Sequence, residues 1–205
     1  MEIRGVEPRL GEDLKRRQEK MRRILLEKGG DAALFTGNAN LIYAMGRLFD
    51  GFYYLPAEGD AIAFVRRGGP LCGEDILSIT RPEMIPQMLG DLGRPLPKRL
   101  ALEEDLPHKD YLRLAALFAH IEAFPSAIGP MARTIKTPYE LDAMRRDGKR
   151  QAEVYRKLPS LYKEGMTELD FAIAVDASFR HAGHLGMQRA AGLRTEPTMG
   201  AVLSG

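Results

Sequence analysis

"GGDAALFT", residues 29–36, is the stretch from which the fold can be read. The paired glycines end a helical pattern, because glycine takes up the left-handed conformation that closes a helix at little cost. That pattern runs from about Glu12 to Lys28 and presents Leu14, Met21 and Leu25 at helical spacing. Asp31 to Thr36 is then a short apolar run suited to a buried strand. Working outward, "AIAFV" at Ala61 to Val65, "RLALEE" at Arg99 to Glu104 and a short run near Ile121 to Phe124 have the same character. "RPEMIPQMLGDL" and "HKDYLRLAALFAH" between them carry helical periodicity. Strands alternating with helices predict an α/β layer with helices on the faces of a sheet. No internal repeat and no low-complexity linker interrupts this order.

A second decisive stretch is "RTIKTPYELDAMRRDGKRQAEVYRKL", Arg133 to Leu158. Thr137 and Glu140 have the spacing of a capping box, and Pro138 sits at the first helical position, where its missing N–H costs nothing. Leu141, Met144, Gly148, Ala152 and Tyr155 follow at steps of three and four. They predict a narrow apolar stripe along a surface otherwise crowded with Arg145, Arg146, Lys149 and Arg150. Pro159 should break or bend this helix one turn after Tyr155. Upstream, "FPSAIGPMA", Phe124 to Ala132, carries the proline and glycine punctuation of a boundary between folding units. Two domains are therefore expected, residues 1–132 and 133–205. Further on, Gly165 suits a positive φ, Thr167 suits a helix cap, Phe171, Ala172, Val175 and Phe179 form an apolar helical series, and Gly183 closes it.

Composition bounds the function. The 205 residues are 44% hydrophobic, enough for packed cores, and 30 basic against 28 acidic residues leave a formal charge of only +2. No global field recruits nucleic acid or an anionic membrane, although the sequence pI is near 8.7. The basic run "KRRQEKMRR", Lys15 to Arg23, reads as the solvated face of the first helix. Cys72 is the only cysteine, which excludes an intrachain disulfide and a cysteine-based zinc cluster and fits a reducing cytoplasm. The amino terminus lacks the apolar core of a signal peptide, and no stretch approaches the roughly 20 apolar residues that span a bilayer. A Gly-x-Gly-x-x-Gly turn and a Gly-Lys-Ser/Thr phosphate loop are absent. Ser204 has no nucleophile-elbow pattern, and Cys72 has no evident base.

Three segments together carry a family resemblance. "GGDAALFTGNANLIYAMG", Gly29 to Gly46, resembles the opening of the amino-terminal domain of the creatinase and Xaa-Pro aminopeptidase superfamily, in which a strand runs into a loop with an Asn, a Tyr and a Gly at this sort of spacing. "RTIKTPYELDAMRRDGKRQAEVY" resembles that superfamily's entry into its second, pita-bread domain. "EGMTELDFAIAVDASFRHAGHLGM", Glu164 to Met187, resembles the helix that follows. The resemblance implies a creatinase-type α/β domain with a mixed sheet flanked by helices, followed by the first part of a pita-bread α+β domain.

It also implies a chemistry. Superfamily members are mostly metallopeptidases in which two Asp, one His and two Glu hold a pair of divalent metals (manganese, cobalt or zinc), and a bridging water or hydroxide attacks the scissile carbonyl. The similarity runs out at "GAVLSG", Gly200 to Gly205, ahead of the family's ligand positions, so no catalytic residue and no metal ligand is assigned to this chain. The expectation is a catalytically incomplete part of an Xaa-Pro dipeptidase or aminopeptidase acting on peptides, homodimeric and cytoplasmic, without nucleic-acid or membrane partners. A peptide- or protein-binding module on the same scaffold, and a creatinase-like small-molecule C–N hydrolase, are the alternatives.

Substrate-proximal candidates come from "RLFDGFYYL", Arg47 to Leu55, read as a loop leading into a strand. In relatives the equivalent loop reaches toward the partner subunit's active site. Arg47 would hold a carboxylate, and Phe49, Tyr53 and Tyr54 would wall off a proline-like ring. The competing reading is that alternate aromatics pack the sheet and Arg47 is solvated. His181 and His184, three apart near a helix end, lack the carboxylate partner of a zinc motif and suit the negative end of a helix dipole. His184 is kept as a substrate-facing candidate. His108 and His120 flank a helix without evident partners and read as structural.

Overall fold

A computed structural model describes residues 8–67, 75–118 and 121–184. It begins with helix α1 (Pro8–Glu27), which buries Leu14, Met21, Ile24 and Leu25 along one face. The two glycines that follow do different things. Gly29 takes φ 68°, and the amides of Gly29 and Gly30 donate to the carbonyls of Leu26 and Leu25, a Schellman closure. Gly30 is where Leu25 and Phe124 crowd the backbone too closely for a Cβ.

The chain then alternates through β1 (Ala32–Phe35), α2 (Asn38–Met45), β2 (Asp50–Pro56), β3 (Ile62–Arg67), β4 (Ile76–Ser78), a 3-10 turn at Pro82–Met84, α3 (Ile85–Asp91), β5 (Arg99–Glu103), α4 (His108–Ala115), β6 (Glu122–Ser126) and α5 (Ile128–Thr134). The strands form one sheet in the order β4-β3-β2-β1-β5-β6. β1 runs parallel to β5 and antiparallel to β2, β5 is parallel to β6, β3 is antiparallel to β2, and β4 is parallel to β3. The sheet is therefore mixed, as the α/β reading requires.

Period-2 alternation sorts the strand side chains into two cores. Ala33, Phe35, Tyr53, Leu55, Ala63 and Val65 face a cluster containing Met21, Leu25, Leu41 and Ile128. Ala32, Leu34, Phe52, Tyr54, Ile62 and Phe64 face the other, with Ile85, Leu89 and Leu114. Each fully buried large side chain contributes roughly 1.5–3 kcal/mol, so the two layers stabilise the sheet from both sides.

Several elements depart from the sequence reading. β2 begins at Asp50, so Phe52, Tyr53 and Tyr54 lie in a strand and not in a loop. The basic run of α1 is not wholly solvated either. Arg17 is buried, its Nε donates to Asp13 at 2.6 Å, and its guanidinium lies 5.1 Å from the centroid of the Tyr43 ring. Arg22 donates to the carbonyls of Pro56 and Gly59, and Lys20 to that of Ile135. These basic side chains tie loops to the helix.

The chain divides into two compact units, Met1–Tyr139 and Glu140–Gly205, so the division falls inside the first turn of α6 (Pro138–Leu161). The expected boundary after Ala132 falls inside α5. In the second unit α6 and Tyr162, the residue just after it, meet α7 (Glu168–His181) through edge-on aromatic contacts, Tyr155 with Phe179 at 5.3 Å and Tyr162 with Phe171 at 6.2 Å. Gly165 takes φ 86° in the connection, and Thr167 and Asp170 form a reciprocal capping box at the start of α7. Gly183, φ 95°, closes that helix, with the His184 amide donating to the Phe179 carbonyl.

The stripe expected on α6 is not its buried face. Leu141, Met144 and Tyr155 are 40%, 56% and 60% exposed, whereas Val154 is buried and Leu158 and Leu161 are half-buried. Val154, Leu158 and Leu161 themselves recur at helical spacing, and theirs is the less exposed side of the helix. Pro159 lies in the last turn, where the helix continues for two residues before ending at Leu161. None of the described helices is long and apolar enough to cross a membrane.

Candidate functional site

The carboxyl ends of β1 and β5 lie side by side because the two strands are parallel, and open α/β sheets characteristically place their sites at such ends. Here that position holds a buried charge. Glu103, the last residue of β5, is only 3% exposed. Its carboxylate accepts from the amides of Thr36 (2.8 Å) and Gly37 (2.9 Å) and from the side-chain amide of Asn40. It thereby fills the positive end of α2, whose N-cap residue Gly37, just before Asn38, supplies no side-chain cap. Asn40 in turn accepts from the Arg133 guanidinium on α5. The chain Glu103–Asn40–Arg133 links a strand and two helices through charge-assisted bonds.

The loop after α2 is anchored at both ends. Gly46, φ 68°, closes the helix through its amide to the Ile42 carbonyl. At the far end, Arg66 donates twice to Asp50 Oδ1, from Nε at 3.0 Å and Nη2 at 2.5 Å, and the Thr36 hydroxyl donates to the Gly51 carbonyl at 3.0 Å. Gly51 meets the Phe64 carbonyl too closely for any side chain, at the point where the β2–β3 register shifts. Beside this loop is a shallow depression of about 380 Å³ lined by Thr36, Asn38, Leu48, Phe49, Asp50 and Gly51.

The substrate-proximal candidates are distributed as follows. Arg47 is half-buried in the anchored loop, and Leu48 beside it is 59% exposed. Phe49 is buried but contributes to the depression. Tyr53 and Tyr54 are buried on opposite faces of the sheet, in different core clusters. Burial raises the Tyr53 phenol far above its ordinary range, and its hydroxyl has no hydrogen-bond partner among the described residues. Burial, with the Asp31 charge adding to it, pushes the Tyr54 phenol up to about 12. His184 lies in the second unit, exposed, with its ring edge-on to Phe179 at 6.1 Å. His181 is the last residue of α7, and His108 opens α4. His120, Cys72 and Ser204 lie outside the described residues.

Sequence reasoning passed over Glu103, Asn40 and Arg133. One signal was available: in "RLALEE" the alternation that buries Ala101 toward the α1 side carries Glu103 inward with it. No group of three or more His, Cys, Asp or Glu among the described residues is placed to hold a metal ion. The described residues thus do not supply the donor set of a metal pair.

Solved structures of similar fold belong to peptidases. An Xaa-Pro dipeptidase from Bacillus anthracis superposes with a TM-score of 0.69 at 16% identity, over 85% of this chain and 50% of that one. An X-Pro aminopeptidase from Thermotoga maritima MSB8 gives 0.68 at 16% identity over 83% and 50%, and the prolidase of Pyrococcus horikoshii OT3 gives 0.66 at 18% over 84% and 50%. The chain spans about half the length of these structures. No curated protein sequence matches it. The sequence profile of the creatinase/prolidase N-terminal domain matches residues 17–132, more than half of the 205. The chain belongs to the creatinase/prolidase N-terminal domain family.

Proposed function

We propose that this chain is the amino-terminal half of a metal-dependent hydrolase that cleaves the peptide bond before proline, an Xaa-Pro dipeptidase or aminopeptidase. The observation that carries the reading is the extent of the structural likeness. It covers 85% and 83% of this chain in an Xaa-Pro dipeptidase and an X-Pro aminopeptidase, and therefore runs past residue 132 into the second unit. In this reading the divalent metal pair, manganese, cobalt or zinc, is held by residues outside those described here and supplies the activated water.

The role left to the described residues is positioning. The loop from Gly46 to Gly51 is braced by Arg66–Asp50 and by the Thr36 hydroxyl, so Arg47 is offered from a fixed backbone. Its guanidinium suits the carboxylate of a short peptide, which it can take in bidentate fashion. His184 is the corresponding candidate on the second unit. The active assembly is a homodimer in the cytoplasm, favoured by the apolar side chains left exposed on α6 and α7, among them Met144, Leu169 and Ile173.

The test is kinetic. In the protein extended beyond Gly205, Arg47→Ala should raise KM for an Xaa-Pro dipeptide at least about tenfold while lowering kcat much less, the mark of lost uniform binding. An unchanged KM removes Arg47 from substrate recognition.

A further inference from the structure

The sheet ends on one side at β6, and a terminal strand offers unpaired N–H and C=O groups to any second strand that approaches. The Glu122 amide donates inward, to the Lys98 carbonyl at 2.8 Å. Backbone groups alternate in direction along a strand, so those of Ala123 and Pro125 face outward. Pro125 has no N–H to offer. The outward carbonyl of Ala123 is already occupied, accepting from the Tyr111 hydroxyl of α4 at 3.2 Å. Of the two outward residues, one thus lacks its donor and the other has its acceptor engaged. The opposite edge, β4, is only three residues long.

We propose that the outer edge of β6 is closed to strand addition by a second copy of this chain, with Pro125 and the Tyr111 hydroxyl as the closing groups. Self-association then has to use another surface, such as the exposed helical side chains of the second unit. Tyr111 serves this purpose without loss of packing, since its ring lies against the same core cluster as Ala123. Pro125 serves it without breaking the ladder, because its missing donor points away from β5.

The test compares the chain with Tyr111→Phe, Pro125→Val and the double variant by sedimentation across a concentration series, with amide hydrogen exchange read at Ala123. The double variant should form larger species than the wild type. On association its Ala123 amide should exchange more slowly by about tenfold or more, as an amide newly hydrogen-bonded in a sheet does. Each single variant should associate less than the double. An unaltered size distribution in a folded double variant overturns the proposal, as does association that leaves Ala123 exchange untouched. The wild type gives an independent check that does not depend on how the variants fold. Its own oligomer should leave the Ala123 amide exchanging at the rate seen in dilute solution, and protection there overturns the proposal equally.

Discussion

Replacing Glu103 by alanine should be among the most damaging single changes in the first unit. The carboxylate accepts from the Thr36 and Gly37 amides and from the Asn40 side chain, and Glu103 and Asn40 are both buried. In Glu103→Ala all three donors lose their acceptor, the Asn40 side chain in the buried interior and the Thr36 and Gly37 amides in half-buried positions beside it. An orphaned buried group costs about 1–3 kcal/mol, and neighbouring losses do not simply add. A destabilisation of about 4 kcal/mol is therefore expected, a large part of the 5–15 kcal/mol typical of a domain. Glu103→Gln keeps the shape and one acceptor oxygen but turns an amide nitrogen toward the donors, so about 1–2 kcal/mol is expected for it. Urea unfolding followed by circular dichroism measures both, with an unchanged slope confirming that stability itself has moved. Because Asn40 shares the network, the pair Glu103→Gln and Asn40→Ala should be non-additive by more than about 0.5 kcal/mol. If Glu103→Ala unfolds within about 0.5 kcal/mol of the wild type, the carboxylate does not cap α2 in solution and the reasoning is refuted.

Other outcomes follow from the same geometry. Gly129→Ala should cost about 2 kcal/mol or more in the same urea assay, because a Cβ there collides with the Asn40 amide and displaces it from Glu103. Tyr53 and Tyr54 should stay un-ionised in the folded chain at pH values where a free phenol, with its ordinary pKa of about 10, has already ionised. A phenol whose folded pKa lies above its unfolded value of 10.0 favours the fold fully below that pH. Its contribution is lost as pH rises from about 10 through about 12 for Tyr54, so alkaline unfolding should coincide with the late tyrosinate absorbance. The hydrogen bonds from Thr167 hold Asp170 below the usual carboxylate range, so the α7 cap is present above pH about 4 and is lost as pH falls through the folded pKa. Helical circular dichroism should drop in that acid range in the wild type and not in Asp170→Asn. Sedimentation should show a homodimer at micromolar concentration, weakened by Met144→Lys if the exposed face of α6 forms the contact.

What the sequence disclosed and what it hid have physical causes. β1, β3, β5 and β6 were legible as apolar runs between turn residues, and α1 by its period and its terminal glycines. α2 was hidden because its cap is Glu103, far along the chain, and no local residue announces the helix. "RLFDGFYYL" reads as a loop leading into a strand, and the strand starts earlier than that reading has it, at Asp50. Gly51 is there for the close approach of the Phe64 carbonyl. In α5, Gly129 and Pro130 looked like punctuation. Pro130 falls in the first turn, where a helix needs no N–H, and Gly129 makes room for Asn40. The stripe on α6 was periodic but faces outward, since periodicity gives a face and not its partner. At the candidate site, Arg47 was legible as a cation beside aromatics. The buried Glu103–Asn40–Arg133 chain was not, because its members are brought together only by the parallel pairing of β1 and β5 and the packing of α5.

The most direct test is a side-by-side measurement of Xaa-Pro dipeptide hydrolysis, with manganese or cobalt supplied, by this 205-residue chain and by the protein extended through the residues that follow Gly205. The expected result is no turnover by the chain and chelator-sensitive turnover by the extended protein. Metal-stimulated hydrolysis by the chain alone, or none by a folded extended protein, would contradict the proposal that these residues position a substrate for chemistry housed elsewhere.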